Sequence, residues 1–394
     1  MVSHHAPLAW HRCPPSQWFF TVACGLAIAC ADADKTDYGA SPVPGDVTER
    51  RWYVSWNDTS AQGTGVGSEA LSVGAVLVSG STVVTGSYGS AALVAIDTDV
   101  GKVRELGRPG DGPGEFRSLH RIRRCGEAEV VAQDFANGRV TFVTPQLELR
   151  AIIAVPPRVL GGELVACASD RTLLFVNDPP EVPGDGVYTV DQRVYAVRTS
   201  DGSVSLLGTW SITQMVFDTR LGVFFPLPLG NRALAAGAGS ALHVIDAATC
   251  SVTVYRTHDI PVKRRVVQHE LARPVALARA RARIVDAMAD SITRRKVRMA
   301  MERTPSGRAQ PCAEQAVGTA DGGFWLRLAS SDVDTTATWL LIDRELRPQF
   351  RLALPSTMEV MDSRGDAVLV LDRATDDGHF QLLRTCMPGD GNCL

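Results

Sequence analysis

Apolar and polar positions alternate along most of the chain, in short runs broken by turn residues. VAIDTDVGKVREL, from Val94, is one such unit: an apolar alternation, a polar turn at Asp97 and a second alternation, the pattern of a β-hairpin. Aligned without gaps, YAVRTSDGSVSLL from Tyr195 and HVIDAATCSVTVY from His243 put Arg198 and Asp246 where the first copy has Asp97. Looser copies surround Thr144 and Asp343. These turn positions stand 47, 54, 48 and 97 residues apart, and only the last interval departs from a period near 50.

Short strands at that period predict an all-β fold, a β-propeller whose blades are four-stranded antiparallel sheets. Each hairpin is expected to supply the third and fourth strands of its blade, as LSVGAVLV and STVVTGS precede Val94. Five whole blades follow, and a sixth begins at Met358 with three strands only. RWYVSWND, from Arg51, has no blade of its own. An open ring would leave exposed strand edges, so this N-terminal strand is expected to complete the last blade. A six-bladed propeller over 49–388 results.

The long interval holds a basic segment, 263–308, with thirteen Lys/Arg against four Asp/Glu. Its composition of Ala, Arg and Met favours helix, and Leu277, Ile284, Val285, Met288 and Ile292 form one apolar stripe behind Pro274. A helical insertion between the fourth and fifth blades is therefore expected, with Arg279, Arg283, Arg294, Arg295 and Arg298 facing outward. Such a face is either a solvated cap or a docking surface for an acidic partner, for which Arg294, Arg295 and Arg298 are the candidates. Nucleic acid is not expected: the net charge is −3, and 269–303 has no Phe, Tyr or Trp to stack on bases.

GRPGDGPGEFRSLHRI, from Gly107, links the strand ending near Leu106 to the inner strand of the next blade. Gly110, Gly112 and Gly114 are expected to allow left-handed turns, Pro109 and Pro113 to stiffen the path, and Phe116 to plug between blades. A phosphate loop is excluded, because neither GxxxxGK[ST] nor a GxGxxG leading into a helix is present. GRPGDGPGEF resembles the blade-connecting motif of NHL-type repeats, and VAID, HVID, LLID and DGGFWLRL resemble that family's turn patterns. With the N-terminus described next, the chain resembles a bacterial six-bladed β-propeller lipoprotein family over roughly 49–388. Only one copy of the glycine loop is good, and Arg198 and Thr144 replace the turn Asp.

Arg12, the apolar run Trp18–Ala29 and Cys30 read as an export signal. LAIAC resembles a lipoprotein signal, which implies a signal over 1–30, lipidation at Cys30 and a disordered tether over 31–48; plain secretion is the alternative. The expected membrane contact is through that lipid only. Of nine cysteines, six remain beyond the signal: Cys125, Cys167, Cys250, Cys312, Cys386 and Cys393. An exported chain permits disulfides among them in fifteen pairings, and Cys386 and Cys393 are close enough to close a terminal loop.

No GxSxG elbow, HExxH pair, EF-hand loop or Cys/His zinc spacing occurs. Propeller enzymes such as gluconolactonase-like hydrolases gather acidic residues at the axial channel to hold a divalent cation. The candidates on inner strands are Asp218, Glu314, Glu359 and Asp362, with His120 and Arg123 in range of the channel; the bland alternative is water-facing strand-end charge. Asp134 is expected to serve a turn. The function expected is a monomeric, envelope-anchored, non-catalytic propeller, without cofactor, that binds a protein, peptide or glycan. The alternative is a metal-dependent hydrolase or lyase, gluconolactonase-like or amidating-lyase-like, using Ca or another divalent cation.

Overall fold

A computed structural model of the protein describes residues 51–57, 74–79, 81–87, 91–127, 129–168, 170–177, 186–218, 223–226, 233–239, 241–256, 262–265, 294–295, 298–299, 311–329, 336–374 and 379–386. The signal and Cys30, the tether, Cys393 and most of the basic segment lie outside them. Within that segment Arg294, Arg295, Arg298 and Met299 are helical, and no helix among the described residues is long and apolar enough to cross a membrane.

Most strands are short, and within each run neighbours pair antiparallel. After β1 (Arg51–Asn57) come β2 (Ala75–Val78), β3 (Thr82–Ser87), β4 (Ala92–Asp97) and β5 (Lys102–Leu106), which form one sheet in that order. The next are β6 (Leu119–Cys125), β7 (Glu129–Asp134), β8 (Arg139–Val143) and β9 (Leu149–Ala154). Beyond a 3-10 turn at Pro157–Val159 follow β10 (Glu163–Cys167), β11 (Thr172–Asn177), β12 (Gly186–Arg198), β13 (Val204–Asp218) and β14 (Val223–Pro226). These two runs share one nine-stranded sheet only through a single parallel pairing, Cys125 with Cys167. Two further four-stranded sheets follow: β15 (Ala233–Ala238), β16 (Ala241–Asp246), β17 (Ser251–Arg256) and β18 (Val262–Arg265), then β19 (Ala313–Gly318), β20 (Phe324–Leu328), β21 (Thr336–Ile342) and β22 (Pro348–Pro355). The last sheet joins β23 (Met358–Arg364), β24 (Ala367–Asp372) and β25 (His379–Cys386) to β1, which pairs antiparallel along β25.

The first strands of these groups, β2, β6, β10, β15, β19 and β23, touch one another in cyclic order, with β23 returning to β2. This is the arrangement of a β-propeller, its blades radiating from an axis lined by the inner strands. Small residues set the spacing on one side of the axis. A Cβ on Gly318 would stand 1.7 Å from the Gly237 carbonyl oxygen, and one on Gly237 would stand 2.0 Å from the Ala166 Cβ. Apolar side chains fill the seams between blades; Val76, Leu93, Phe116, Ile122 and Val130 form one such cluster between the first two groups.

The glycine-rich loop bridges β5 and β6, and Phe116 is fully buried in that seam. Gly107, Gly110 and Gly114 have φ of 126°, 157° and 75°. Gly112 does not lie in the left-handed region as expected. It is held instead by its N–H, which donates to the Glu115 carboxylate at 2.7 Å, and a Cβ there would stand 2.9 Å from that same oxygen. Arg139 donates to the carbonyls of Asp111, Gly112 and Glu115, and buried Asp134 accepts from the Arg117 and Ser118 N–H groups and from Asn137. Asp134 thus fastens a turn to the loop from the preceding blade.

Two expectations about the repeat are corrected. The hairpin at Asp246 supplies the second and third strands of its sheet, because ALAAGA forms an inner strand before it and VKRR pairs along β17 as the outer one. Lys263, Arg264 and Arg265 therefore belong to the outer strand of a sheet and not to the helical segment expected over 263–308. Among the described residues two disulfides form, Cys125–Cys167 and Cys250–Cys312, and the expected Cys386–Cys393 closure lies outside them.

Candidate functional site

Inner strands of a propeller present alternate side chains to the axis. Here those side chains enclose an axial cavity of about 570 Å³ and a second cavity, of about 600 Å³, at one mouth. Arg121 of β6, Glu163 and Val165 of β10, Ala235 of β15, Gln315 of β19 and Glu359 of β23 line both. The belt where the cavities meet is therefore built from the beginnings of the inner strands. Gly126, Glu127, Gly239, Thr319 and Arg364, at or beyond the strands' ends, line the axial cavity alone.

At the belt and directly beside it stand arginine–carboxylate pairs. The Arg121 Nε donates to Glu163 at 2.7 Å, Arg327 reaches Glu314 at 3.4 Å and Arg373 donates to Glu359 at 2.8 Å. Arg123 sits one step further along β6. Its guanidinium donates to the carbonyls of Val165 (3.1 Å) and Ile122 (2.8 Å) and stands 3.6 Å from the Glu163 carboxylate already held by Arg121. Burial brings the Arg123 pKa down to about 10, against the opposing pull of Glu163. Burial pushes Glu163 upward, but Arg121 and Arg123 outweigh it and hold the carboxyl below its ordinary range.

The mouth cavity owes its outer wall to an extension of one blade. β11 pairs only with residues 193–198 of β12, while β12 and β13 continue as a ribbon, joined by β14 along residues 215–218. Across that ribbon Gln192 faces Trp210 and Tyr188 faces Met215. Gln192, Val194, Trp210 and Met215 line the cavity with Val176, Leu234 and Val244. Trp210 is anchored edge-on to Tyr255 of the next blade, ring centroids 5.0 Å apart at 88°. Gly208 makes room: a Cβ there would approach the Tyr255 hydroxyl to 3.1 Å.

The expected site residues divide. Arg123 and Glu359 line the axial cavity and Glu314 lines the mouth cavity. Asp362 borders the axial cavity but is buried, with its oxygens engaged by the N–H groups of Leu77 and Ser363 and by Arg124. Its pKa is raised by burial, against Arg124 and the hydrogen bonds. His120 lies beside the belt, with its ring against Phe135 at 5.2 Å and outside the lining of either cavity. Burial, then Arg121, lower its pKa. Asp218 is not on an inner strand: it closes β13, the fourth strand of its group, opposite Val223 of β14, and its side chain lies outside the described residues. Arg295 and Arg298 are exposed and Arg294 half-buried.

The sequence reading did not single out Arg121, Arg124, Glu163, Trp210, Met215 or Gln315. The run HRIRR carried a signal for the first two, because charge on an inner strand directly after a blade connector points to the axis. Among the described residues no three His, Cys, Asp or Glu side chains gather as a ligand set, and Glu163, Glu314 and Glu359 each face an arginine.

No protein-family model matches the chain, and no curated protein matches it. Solved structures similar to it include virginiamycin B lyase from Staphylococcus aureus, 11% identical over 85% of this chain and 99% of that one, with a TM-score of 0.40. A member of the DUF4221 family from Bacteroides vulgatus is 7% identical over 80% and 93%, with a TM-score of 0.45. A luciferin-regenerating enzyme is 11% identical over 86% and 96%, with a TM-score of 0.43.

Proposed function

We propose that the chain is a six-bladed propeller that binds its ligand, without catalysis, in the mouth cavity between the β12–β14 ribbon and the axial belt. Six blades follow when the nine-stranded sheet is divided at its single Cys125–Cys167 pairing and β1 is counted with the last blade. The observation that carries the binding reading is the belt itself. The carboxylates at and beside it, Glu163, Glu314 and Glu359, are matched by Arg121, Arg327 and Arg373, which suits hydrogen bonding to a ligand and leaves none of these three poised as a general base. The described lining of the mouth cavity holds no histidine, serine or cysteine. A recess of this size with one apolar wall and a few polar groups is the usual form of a ligand site.

Export with lipidation at Cys30 belongs to the same reading, supported by the apolar run before Cys30 and by two disulfides, which persist in oxidising compartments. The test is a comparison of the mature chain with its Trp210→Ala and Met215→Glu variants on peptide and glycan arrays, alongside lactone and ester turnover with and without a chelator. Capture that the variants lose, without turnover, is expected. Chelator-sensitive turnover, or capture unchanged in both variants, overturns the reading.

A further inference from the structure

Five arginines and four carboxylates line the axial cavity among the described residues. Four arginines have a carboxylate at close range: Arg121 with Glu163, Arg124 with Asp362, Arg364 with Glu127 and Arg373 with Glu359. Arg123 has only a share in Glu163, at 3.6 Å. Its side chain retains 29% of its accessibility, and the group that shares its charge lies on the belt common to both cavities. The axial cavity, just past the belt where it meets the mouth cavity, therefore carries about one positive charge in excess, in a recess where water screens it poorly.

From this we infer that the site recognises a carboxylate, specifically the C-terminal carboxylate of a peptide ending in apolar residues. This inference rests on the binding reading above. One excess charge matches one carboxylate; a phosphomonoester, at roughly −1.5 to −2, would bring surplus negative charge into the recess beside Glu163. With the carboxylate passed through the belt to Arg123 in the axial cavity, the body of the ligand lies in the mouth cavity against Val176, Val194, Met215 and Leu234, with Trp210 beside them. That wall is mostly aliphatic, which suits Leu or Val side chains better than a sugar ring. Gln315 offers an amide donor and acceptor to a peptide backbone.

The experiment is calorimetric titration of the mature chain with N-acetyl-Leu-Leu as the free acid, as its C-terminal amide, and with glucuronate. The acid is expected to bind at least tenfold more tightly than the amide, and glucuronate not measurably. This comparison uses the unaltered chain, so it stands even if a variant misfolds. Arg123→Gln is expected to erase the preference for acid over amide, and Arg123→Lys to retain part of it. Equal binding of acid and amide, or an intact preference in Arg123→Gln, overturns the inference while leaving ligand binding at the mouth standing. Binding of glucuronate but not the peptide acid overturns the peptide assignment. Failure of all three probes overturns the inference, and the array capture above then judges the binding reading by itself.

Discussion

The carboxylate of Asp362 and the guanidinium of Arg124, 238 residues apart in sequence, meet over the backbone of a single residue, Leu77. Asp362 accepts the Leu77 N–H at 2.7 Å, and Arg124 donates to the Leu77 carbonyl at 2.6 Å. The pair joins β23, β2 and β6, and so clamps the seam where the ring closes. Both side chains are nearly buried, at 5% and 12% accessibility. Asp362→Asn is therefore expected to destabilise the fold by about 3–5 kcal/mol, because the remaining arginine keeps its charge without compensation. Chemical denaturation measures the loss, and hydrogen exchange at Leu77 should show the seam opening first; unchanged exchange there would contradict a closing role.

Phe116 tests the blade connector in the same way. It is fully buried between two sheets, at the end of a loop held by Glu115 and Arg139. Phe116→Ala is expected to cost about 3–5 kcal/mol through the cavity it leaves. Glu115→Gln should cost far less, because Glu115 pairs at the surface with Arg108, whose side chain is 78% exposed. Equal losses in the two variants would mean that charge, not packing, sets the connector.

These contacts show which parts of the molecule the sequence could disclose. The hairpins at Asp97 and Asp343 were readable because an acidic turn residue separates two apolar alternations, and both supply third and fourth strands. The pairing of β1 with β25 followed from the cost of an open edge. ALAAGA and VKRR were not readable as strands. The first has the small residues that tight axial packing requires, and the second is charged because its strand is the outermost. Arg121 and Glu163 are 42 residues apart, and only the stacking of two blades brings them together. The ribbon over the mouth was equally hidden, since strand length beyond the blade edge depends on pairing register.

The Cys250–Cys312 disulfide brackets β17, β18 and the basic stretch of sequence that follows them. It is buried in the core of the fourth and fifth groups, and the Cys312 N–H donates to the Ala247 carbonyl at 2.6 Å. Closing a loop with a sequence separation of 62 restricts the unfolded chain, so replacing both cysteines by alanine is expected to lower stability by roughly 2–4 kcal/mol. Thermal melting of the double variant measures it. Melting at the wild-type temperature would show that the native packing around Ala247 suffices without the crosslink.

His243 should give the fold a specific acid sensitivity. It is buried on β16 against Phe324, ring centroids 4.9 Å apart, and its Nδ1 has no hydrogen-bond partner. Burial lowers its pKa from 6.5 to about 4, against a hydrogen bond to the Ala236 backbone. Above pH 6.5 the ring is neutral in both the folded and unfolded chain, and the full stability is present. As pH falls below 6.5 the unfolded chain takes up the proton first, so stability drops until about pH 4, where the folded ring also protonates. The total loss is on the order of 3 kcal/mol. Urea unfolding at pH 7.5 and pH 4.5 should show most of that difference in the wild type, and a clearly smaller one in His243→Phe, which keeps an aromatic ring but cannot titrate. Equal slopes in the two proteins would assign the acid sensitivity to the carboxylates instead.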